Sequence, residues 1–220
     1  MADLARPELG DDDRHHLERV LRLRPGEEVT ASDGVGGRRR CHFRAGAVLE
    51  PVGEVEVLAR PAPPVTVAFA LTKGDRPEWA VQKLVEVGVD CIVPMTTSRT
   101  VVRWDGEKAS RQVARLRTVA WAAAMQSRQV WRPVVDDVHT FAEVAGSGEG
   151  VALAQPGGDP PSLARPTILV GPEGGWAEAE LASGLPLVSL GPAVLRAETA
   201  AMAAGLLLCG LRAGVVGPAR

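Results

Sequence analysis

Two short segments near the C-terminal end combine glycine, proline and ionisable side chains in an order that suits ligand chemistry. The first, Gly171-Pro172-Glu173-Gly174-Gly175, follows the apolar run TILV at 167–170. The second, Leu190 to Ala200, reads LGPAVLRAETA and follows LVSL at 187–190. Each joins a short apolar strand pattern to a helical one. In open α/β sheets such loops, at the carboxyl ends of parallel strands, are where ligands bind. Glycines let a ligand approach the backbone closely. Glu173 would repel a phosphate, and neither GxxxxGK[ST] nor GxGxxG occurs. The loops therefore suit a ligand whose hydroxyls and amines need acceptors. Two plainer readings stand beside this one. GPEGG is equally a tight turn with a solvated glutamate. LRAET is equally a helix start, capped by Thr199 or Glu198, with a surface pair of Arg196 and Glu198. Both loops follow what read as adjacent strands and would face one end of one sheet, which favours the site.

The elements that must position these loops are readable from periodicity. VTVAFAL at 65–71 is a continuous apolar run, as a parallel strand buried on both faces should be. A helix follows, with Pro77 in its first turn, Ala80, Leu84 and Val87 on one face, and Gly88 at its end. CIVP is the next strand. A long helix is predicted from about Glu107 to Ser127, with an apolar stripe of Val113, Leu116, Ala120 and Ala123 and an arginine-rich opposite face. VVDDV, VALA (151–154), TILV and LVSL add strands, so strands alternate with helices in a mostly parallel sheet. Residues 1–60 read instead as a small β-rich unit. Asp13 precedes a helical pattern with Leu17, Val20 and Leu21 on one face, and Pro25-Gly26 and Asp33-Gly34 mark turns. Pro61-Ala62-Pro63-Pro64 reads as the boundary, giving domains at 1–62 and 65–220.

Composition excludes several classes. The chain is 45% hydrophobic and 24% charged, with a net charge of −2. Its longest apolar run, near Ala200–Leu211, is too short for the roughly 20 residues that span a bilayer, and no apolar signal core opens the sequence. The expectation is a cytoplasmic protein. Cys41, Cys91 and Cys209 are far apart, which disfavours disulfides and zinc, so no metal is expected. His15, His16, His42 and His139 lie in no Ser-His-Asp or HExxH context. Charge is unevenly spread: residues 95–132 hold eight basic side chains against Asp105 and Glu107. Such a patch can bind a polyanion although the whole molecule is acidic. Arg14, His16 and Arg19, and an exposed loop at Arg38-Arg39-Arg40, are further candidates.

Several stretches, spread over nearly the whole chain, resemble the RsmE-type 16S rRNA (uracil-N3) methyltransferases of the SPOUT superfamily. HHLERVLRLRPGEEVTASDG resembles the family's N-terminal PUA-like RNA-binding barrel, and KGDRPEWAVQKLVEVGVDCIVP its K…E…QK-x-x-E-x-G helix. TTSRTVVRW, MQSR, VGPEGGWAEAE and VSLGPAVLRAETA follow in the family's order. The resemblance implies a SPOUT α/β domain with a mostly parallel sheet, a C-terminal trefoil knot and a PUA-like N-terminal domain. It implies S-adenosyl-L-methionine against Leu71, Gly171, Pro172, Glu173, Gly174, Leu190, Gly191, Leu195, Arg196, Thr199 and Ala200. It also implies a homodimer acting on 16S rRNA of the small ribosomal subunit. RNA contacts would come from Arg14, His16, Arg19, Arg22, Arg38, Arg39, Arg40, Arg99, Arg103, Gln126 and Arg128. Met125 and Gln129 depart from the residues usual in the family, and Asp11–Asp13 replace its basic N-terminus.

The chemistry expected is in-line methyl transfer to uracil N3, which keeps its proton at neutral pH. Arg196 is expected to stabilise negative charge on the uracil oxygens and Glu198 to take the proton, ahead of Glu173. The alternatives are a SPOUT enzyme for ribose 2′-hydroxyls or tRNA, and a noncatalytic rRNA-binding assembly factor. A nucleotide-phosphate enzyme is disfavoured by the missing phosphate motifs.

Overall fold

The computed structural model describes residues 3–217. The chain divides into two compact units: residues up to Arg60 with Gln129–Arg132, and Pro61–Arg128 with the chain from Pro133 onward.

In the first unit, helix α1 (Asp11–His15) continues into a wide turn at His16–Val20. Strands β1 (Glu28–Ser32), β2 (Gly37–Arg44) and β3 (Val48–Val57) form an antiparallel sheet. The β1–β2 turn is built by Asp33, whose Oδ1 accepts from the backbone N–H of Val35 at 2.8 Å and of Gly37 at 2.9 Å. Alternation along β2 sends Cys41 and Phe43 inward, onto Leu4, Ala31, Ala47 and Leu49. The short segment Gln129–Arg132 pairs here too. Trp131 bridges Val35, and its indole N–H donates to the Leu58 carbonyl at 3.2 Å. Three expectations need correction. The helix starts at Asp11, two residues before Asp13. Leu21 is 53% exposed, because the wide turn carries it off the apolar face; the side chain of Val20 lies outside the described residues. Arg38–Arg40 lie in β2 and not in a loop.

In the second unit the strands are β4 (Thr66–Ala70), β5 (Cys91–Thr96), β6 (Val134–Val135), β7 (His139–Thr140), β8 (Val151–Asp159), β9 (Thr167–Val170) and β10 (Leu187–Val188). Their order is β10-β8-β9-β4-β5-β6, with β7 also on β5, and every pairing is parallel. Both faces are covered, which explains the unbroken apolar runs. Along β4, Val67 and Phe69 enter one core and Ala68 the other; along β9, Ile168 and Val170 oppose Leu169. The first core receives helices α2 (Arg76–Glu86), α3 (Gly106–Gln126) and α6 (Ala197–Arg212). The stripe Val113, Leu116, Ala120 and Ala123 on α3 is buried, as its spacing requires. Short helices α4 (Phe141–Ala145) and α5 (Glu178–Leu181) complete the unit. VVDDV does not form one strand: only Val134–Val135 pair, as β6, and β7 follows after it at His139–Thr140. Among the described residues, no helix is long and apolar enough to cross a membrane.

The C-terminal end of α6 is fastened by charge. Arg212 donates to Asp90, to the Gly88 carbonyl at 2.7 Å and to the Pro63 carbonyl at 3.1 Å. Asp90 also accepts from the Val65 N–H at 2.8 Å. The two side chains are only 9% and 7% exposed. Removing one partner of such a pair strands the other charge in the interior. Asp90→Ala should therefore cost about 3–5 kcal/mol in urea denaturation of the whole chain. A cost under about 1 kcal/mol would show that water reaches and satisfies Arg212.

Candidate functional site

Because the sheet is parallel, the loops after β4, β9 and β10 leave from the same end. The strands β9 and β10 are not neighbours, as the sequence suggested; β8 lies between them. This strand adds a third piece to the site. It pairs with β10 at Leu187↔Leu153 and again at Val188↔Asp159, so residues 154–158 bow outward between the two registers. The bowed segment and the loop after β10 enclose an open cavity of about 540 Å³. Its walls include Pro156, Gly157 and Gly158 on one side and Ser189, Leu190, Gly191 and Pro192 on the other.

The GPEGG loop is shaped by its neighbours. Gly175 takes a left-handed φ of 69°, and its N–H donates to the Pro172 carbonyl at 2.8 Å. Trp176 tucks beneath the loop, 4% exposed, where a Cβ on Gly171 would stand 3.1 Å from its ring. Its indole N–H donates to the Ala154 carbonyl at 2.9 Å, tying the loop to the bow of β8. Glu180 is 4% exposed and accepts from the N–H groups of Ser98 and Ala177, each at 2.8 Å. Arg99 donates to the Gly174 carbonyl at 2.8 Å.

The two loops are joined through a residue that the sequence did not single out. Arg76, the first residue of α2, reaches Oε1 of Glu173 at 2.6 Å, and its Nε stands 3.8 Å from Oε1 of Glu198. Glu198 is 13% exposed, and its Oε2 is buried without a hydrogen-bond partner. It lies inside the first turn of α6 and does not cap it, nor does Thr199. The N-cap position is Arg196, and no side chain caps the helix. Arg196 is exposed and makes no ion pair among the described residues, so the expected Arg196–Glu198 surface pair does not form. Leu195, Thr199 and Ala200 are half-buried beside these groups, and Pro172 is buried. Leu71 is 2% exposed and can offer a ligand only its backbone. Arg76 escaped the sequence reading because its partners are about a hundred positions away, a separation that no local spacing rule covers. The bow of β8 was missed because Pro156-Gly157-Gly158 reads as a plain turn.

The chain matches the family described as an RNA methyltransferase domain over residues 60–208, and the RNA methyltransferase PUA domain over residues 9–45. It is 36% identical to ribosomal RNA small subunit methyltransferase E of Mycobacterium bovis, covering 88% of this chain and 82% of that protein. The chain belongs to the RNA methyltransferase family. The Bacillus subtilis member, also a ribosomal RNA small subunit methyltransferase E, is 30% identical over 84% of this chain and 82% of its own length. Two solved structures, both with S-adenosylmethionine bound, share the fold. One is ribosomal RNA small subunit methyltransferase E of Neisseria gonorrhoeae (30% identity, TM-score 0.76, 92% of this chain and 90% of that one). The other is a Legionella pneumophila methyltransferase (28% identity, TM-score 0.78, 91% and 89%).

For a family that acts on RNA, the state of each candidate arginine matters. In the first unit, Arg38 is spent on Glu56 at 2.7 Å, and Arg39 donates to the carbonyls of Gly53 and Leu4 at 3.0 Å each. Arg40, Arg14, Arg19 and Arg22 are exposed, and His16 is half-buried. In the second unit, Arg115 pairs with Glu78 at 2.9 Å and Arg117 with Asp137 at 3.0 Å. Arg103 and Arg128 keep exposed side chains, as does Gln126 at the end of α3. Arg128 sits at φ 57°, a left-handed turn that ends the helix.

The cavity depends on a glycine where two backbones nearly touch. A Cβ on Gly158 would fall 2.5 Å from the Leu187 carbonyl carbon. Gly158→Val should push β10 off β8 and cost about 1–3 kcal/mol, read by thermal or urea denaturation. An unchanged midpoint would show that the bow of β8 yields freely.

Proposed function

We propose that this chain transfers a methyl group from S-adenosyl-L-methionine to N3 of one uridine in 16S rRNA of the small ribosomal subunit. The observation that carries the reading is the arrangement around Arg76. Two loops of a parallel sheet meet on one cation, and one carboxylate, Glu198, keeps a buried oxygen without a partner. A base held in place with one oxygen unspent suits a reaction that must remove a proton from a bound substrate.

The residues present fit the cofactor. The cavity between β8 and β10 is glycine-lined, with Leu190, Pro156 and Pro192 offering apolar surface to an adenine. No basic side chain lines it, as a ligand without phosphate requires. Glu173 offers a carboxylate to hydroxyl or amino groups. Gly171, Pro172, Gly174, Gly191, Leu195, Thr199 and Ala200 complete the cradle, with Leu71 contributing its backbone. When bound, S-adenosylmethionine supplies an electrophilic methyl carbon on a sulfonium.

The chain's own residues do the remaining work. The target uridine would be unstacked and oriented with its N3 toward the cofactor's methyl group, a task that is chiefly positioning. Glu198 accepts the N3 proton through its free oxygen. Arg196, exposed and without a side-chain partner among the described residues, stabilises the negative charge that develops on the uracil oxygens. Arg76 is a positioning residue: it orients Glu198 and balances Glu173. RNA recognition falls to the PUA-like domain, residues 1–62, through Arg14, His16, Arg19, Arg22 and Arg40, and to Arg99, Arg103, Gln126 and Arg128 of the methyltransferase domain at 65–220. The last strands and α6 form the trefoil knot of the superfamily. The active form is a homodimer, a reading supported by Val194 and Leu206, which are 90% and 51% exposed. A ribosomal substrate places the enzyme in the cytoplasm.

Purified small subunits incubated with labelled S-adenosylmethionine should gain label on a single uridine, as N3-methyluridine. Label on a ribose 2′-hydroxyl would replace this reading with the other SPOUT chemistry. In single-turnover assays Glu198→Gln should slow transfer by about 10²–10³-fold, and Arg196→Ala by about 10²-fold, with cofactor affinity nearly unchanged. An unaltered rate in either variant removes that residue from the chemistry. Arg76→Ala should slow transfer roughly tenfold, and Arg76→Lys should recover part of the loss, because the charge returns without the planar fork. Equal loss in both variants would point to a purely steric role.

A further inference from the structure

A second cavity opens at the same end of the sheet as the cofactor loops, at the carboxyl ends of β5 and β7. It measures about 460 Å³ and shares no lining residue with the first. Its walls are Thr96, Arg103, Trp104, Asp105, Asp137 and His139, with the flank of α3 behind them. Trp104 is half-buried: part of its indole packs on the first core, and the rest lines the cavity. Asp105 precedes α3 but makes no capping hydrogen bond, and among the described residues its carboxylate has no side-chain partner. Asp137 is neutralised by Arg117 at 3.0 Å. Nε2 of His139 is buried without a hydrogen bond; Asp136 lies 3.3 Å away, in ion-pair range but outside hydrogen-bond geometry. The exposed Arg103 side chain lines the cavity, with no side-chain partner among the described residues.

This set of groups selects a ligand class. The described residues hold no cluster suited to a metal ion. A small free anion would meet the Asp105 carboxylate. A nucleotide suits Trp104, Asp105 and Arg103 together. Its base stacks on the indole, its N–H edge donates to Asp105, and its phosphate reaches Arg103. A carboxylate beside the base favours one with an exocyclic amine and disfavours uracil, whose N3–H is flanked by two carbonyl oxygens.

We propose that this cavity holds a second unpaired nucleotide of the substrate RNA, amine-bearing and close to the target uridine. The proposal rests on the reading that the chain methylates 16S rRNA. A physical link joins the two sites. One segment, residues 96–104, donates from Ser98 to Glu180 and from Arg99 to Gly174 at the cofactor loop, then supplies Arg103 and Trp104 to the second cavity. An RNA strand gripped there is held in register with the loop that must receive the uridine.

The test uses the full chain, small ribosomal subunits and labelled S-adenosylmethionine. Trp104→Ala and Arg103→Ala should each raise the half-saturating concentration of subunits by about tenfold. The maximal single-turnover rate, and the cofactor affinity by calorimetry, should stay within about twofold of wild type. Trp104→Phe, which keeps a stacking face, should stay near wild type. If Trp104→Ala does not fold, the exposed Arg103→Ala and the conservative Trp104→Phe decide. Unchanged half-saturation in folded Trp104→Ala or Arg103→Ala overturns the proposal, as does a loss confined to cofactor affinity. Guanosine and uridine monophosphates, titrated against tryptophan fluorescence, separate a free-nucleotide site from an RNA subsite. Tight binding of either, with subunit half-saturation untouched, would also overturn it. Wild-type protein that fails to label the subunits sinks the functional reading itself. Labelling by wild type with no effect of these variants sinks only the second cavity.

Discussion

The buried pair of Asp90 and Arg212 fixes where the last helix can lie. Helix α6 is 16 residues long, so at about 1.5 Å per residue it is a rod of roughly 24 Å. One end carries Arg212, the other Glu198. Arg212 has three oxygen partners, on Asp90, Gly88 and Pro63, and Asp90 in turn holds the N–H of Val65 at the entrance to β4. Few other positions of the rod would satisfy all of these groups. Such pairs contribute less net stability than their closeness suggests, because both charges were taken out of water. What this one supplies is a single allowed placement. Cys209, packed against Arg212, helps by staying uncharged: burial pushes its thiol up to about 11, so it does not compete for the guanidinium at neutral pH. The carboxylate at the far end of the helix is thereby located by a contact made at the near end.

A second charge problem arises at the sheet's carboxyl end, and Arg76 resolves it. Glu173 lies in the loop after β9 and Glu198 in the first turn of α6, and two carboxylates facing one site repel. A cation from the start of α2 sits between them, half-exposed toward Glu173 and more enclosed toward Glu198. At the exposed end water screens the pair, and its worth is small. At the enclosed end the ion contact is longer, 3.8 Å, and leaves one oxygen of Glu198 unspent. The arrangement is asymmetric: Glu173 is neutralised, while Glu198 is held but keeps one oxygen unpaired.

Much of the fold was legible because the parallel strands are apolar on both faces and α3 carries an unbroken stripe at helical spacing. Periodicity reports burial, and in this chain burial decides the elements. The loops of the site were legible for a related reason. Gly-Pro turns after apolar strands can be recognised locally, and the ordered motifs from KGDRPEW to LRAETA resemble one family. Charge partners were not legible. Nothing near Arg76 in sequence indicates Glu173, and nothing in the Arg38–Arg40 run indicates that Arg38 is spent on Glu56 across the sheet. The bow at residues 154–158 was not anticipated, because a bow between two registers of one strand pair has the same composition as an ordinary turn. Gln129–Arg132 were assigned to the long domain because they follow α3 directly, yet their pairing is with the β1–β2 turn of the first unit.

The same accounting of partners changes what the basic patch means. Eight basic residues between 95 and 132 suggested a broad polyanion surface. Yet Arg99, Arg115 and Arg117 are committed to a carbonyl, Glu78 and Asp137, and they build the second unit as much as they charge it. A guanidinium already neutralised by a carboxylate releases few counterions when RNA arrives, so it adds little to salt-dependent binding. On the proposed reading, selection among RNAs would rest on fewer groups, each placed by the scaffold: Arg103 beside Trp104, Arg128 at the turn that ends α3, and Arg40 on β2. A protein with a net charge of −2 gains little from long-range steering of a polyanion. Short-range contacts matter more for such a protein, and the proposed stacking on the Trp104 indole beside Asp105 would be a contact of that kind.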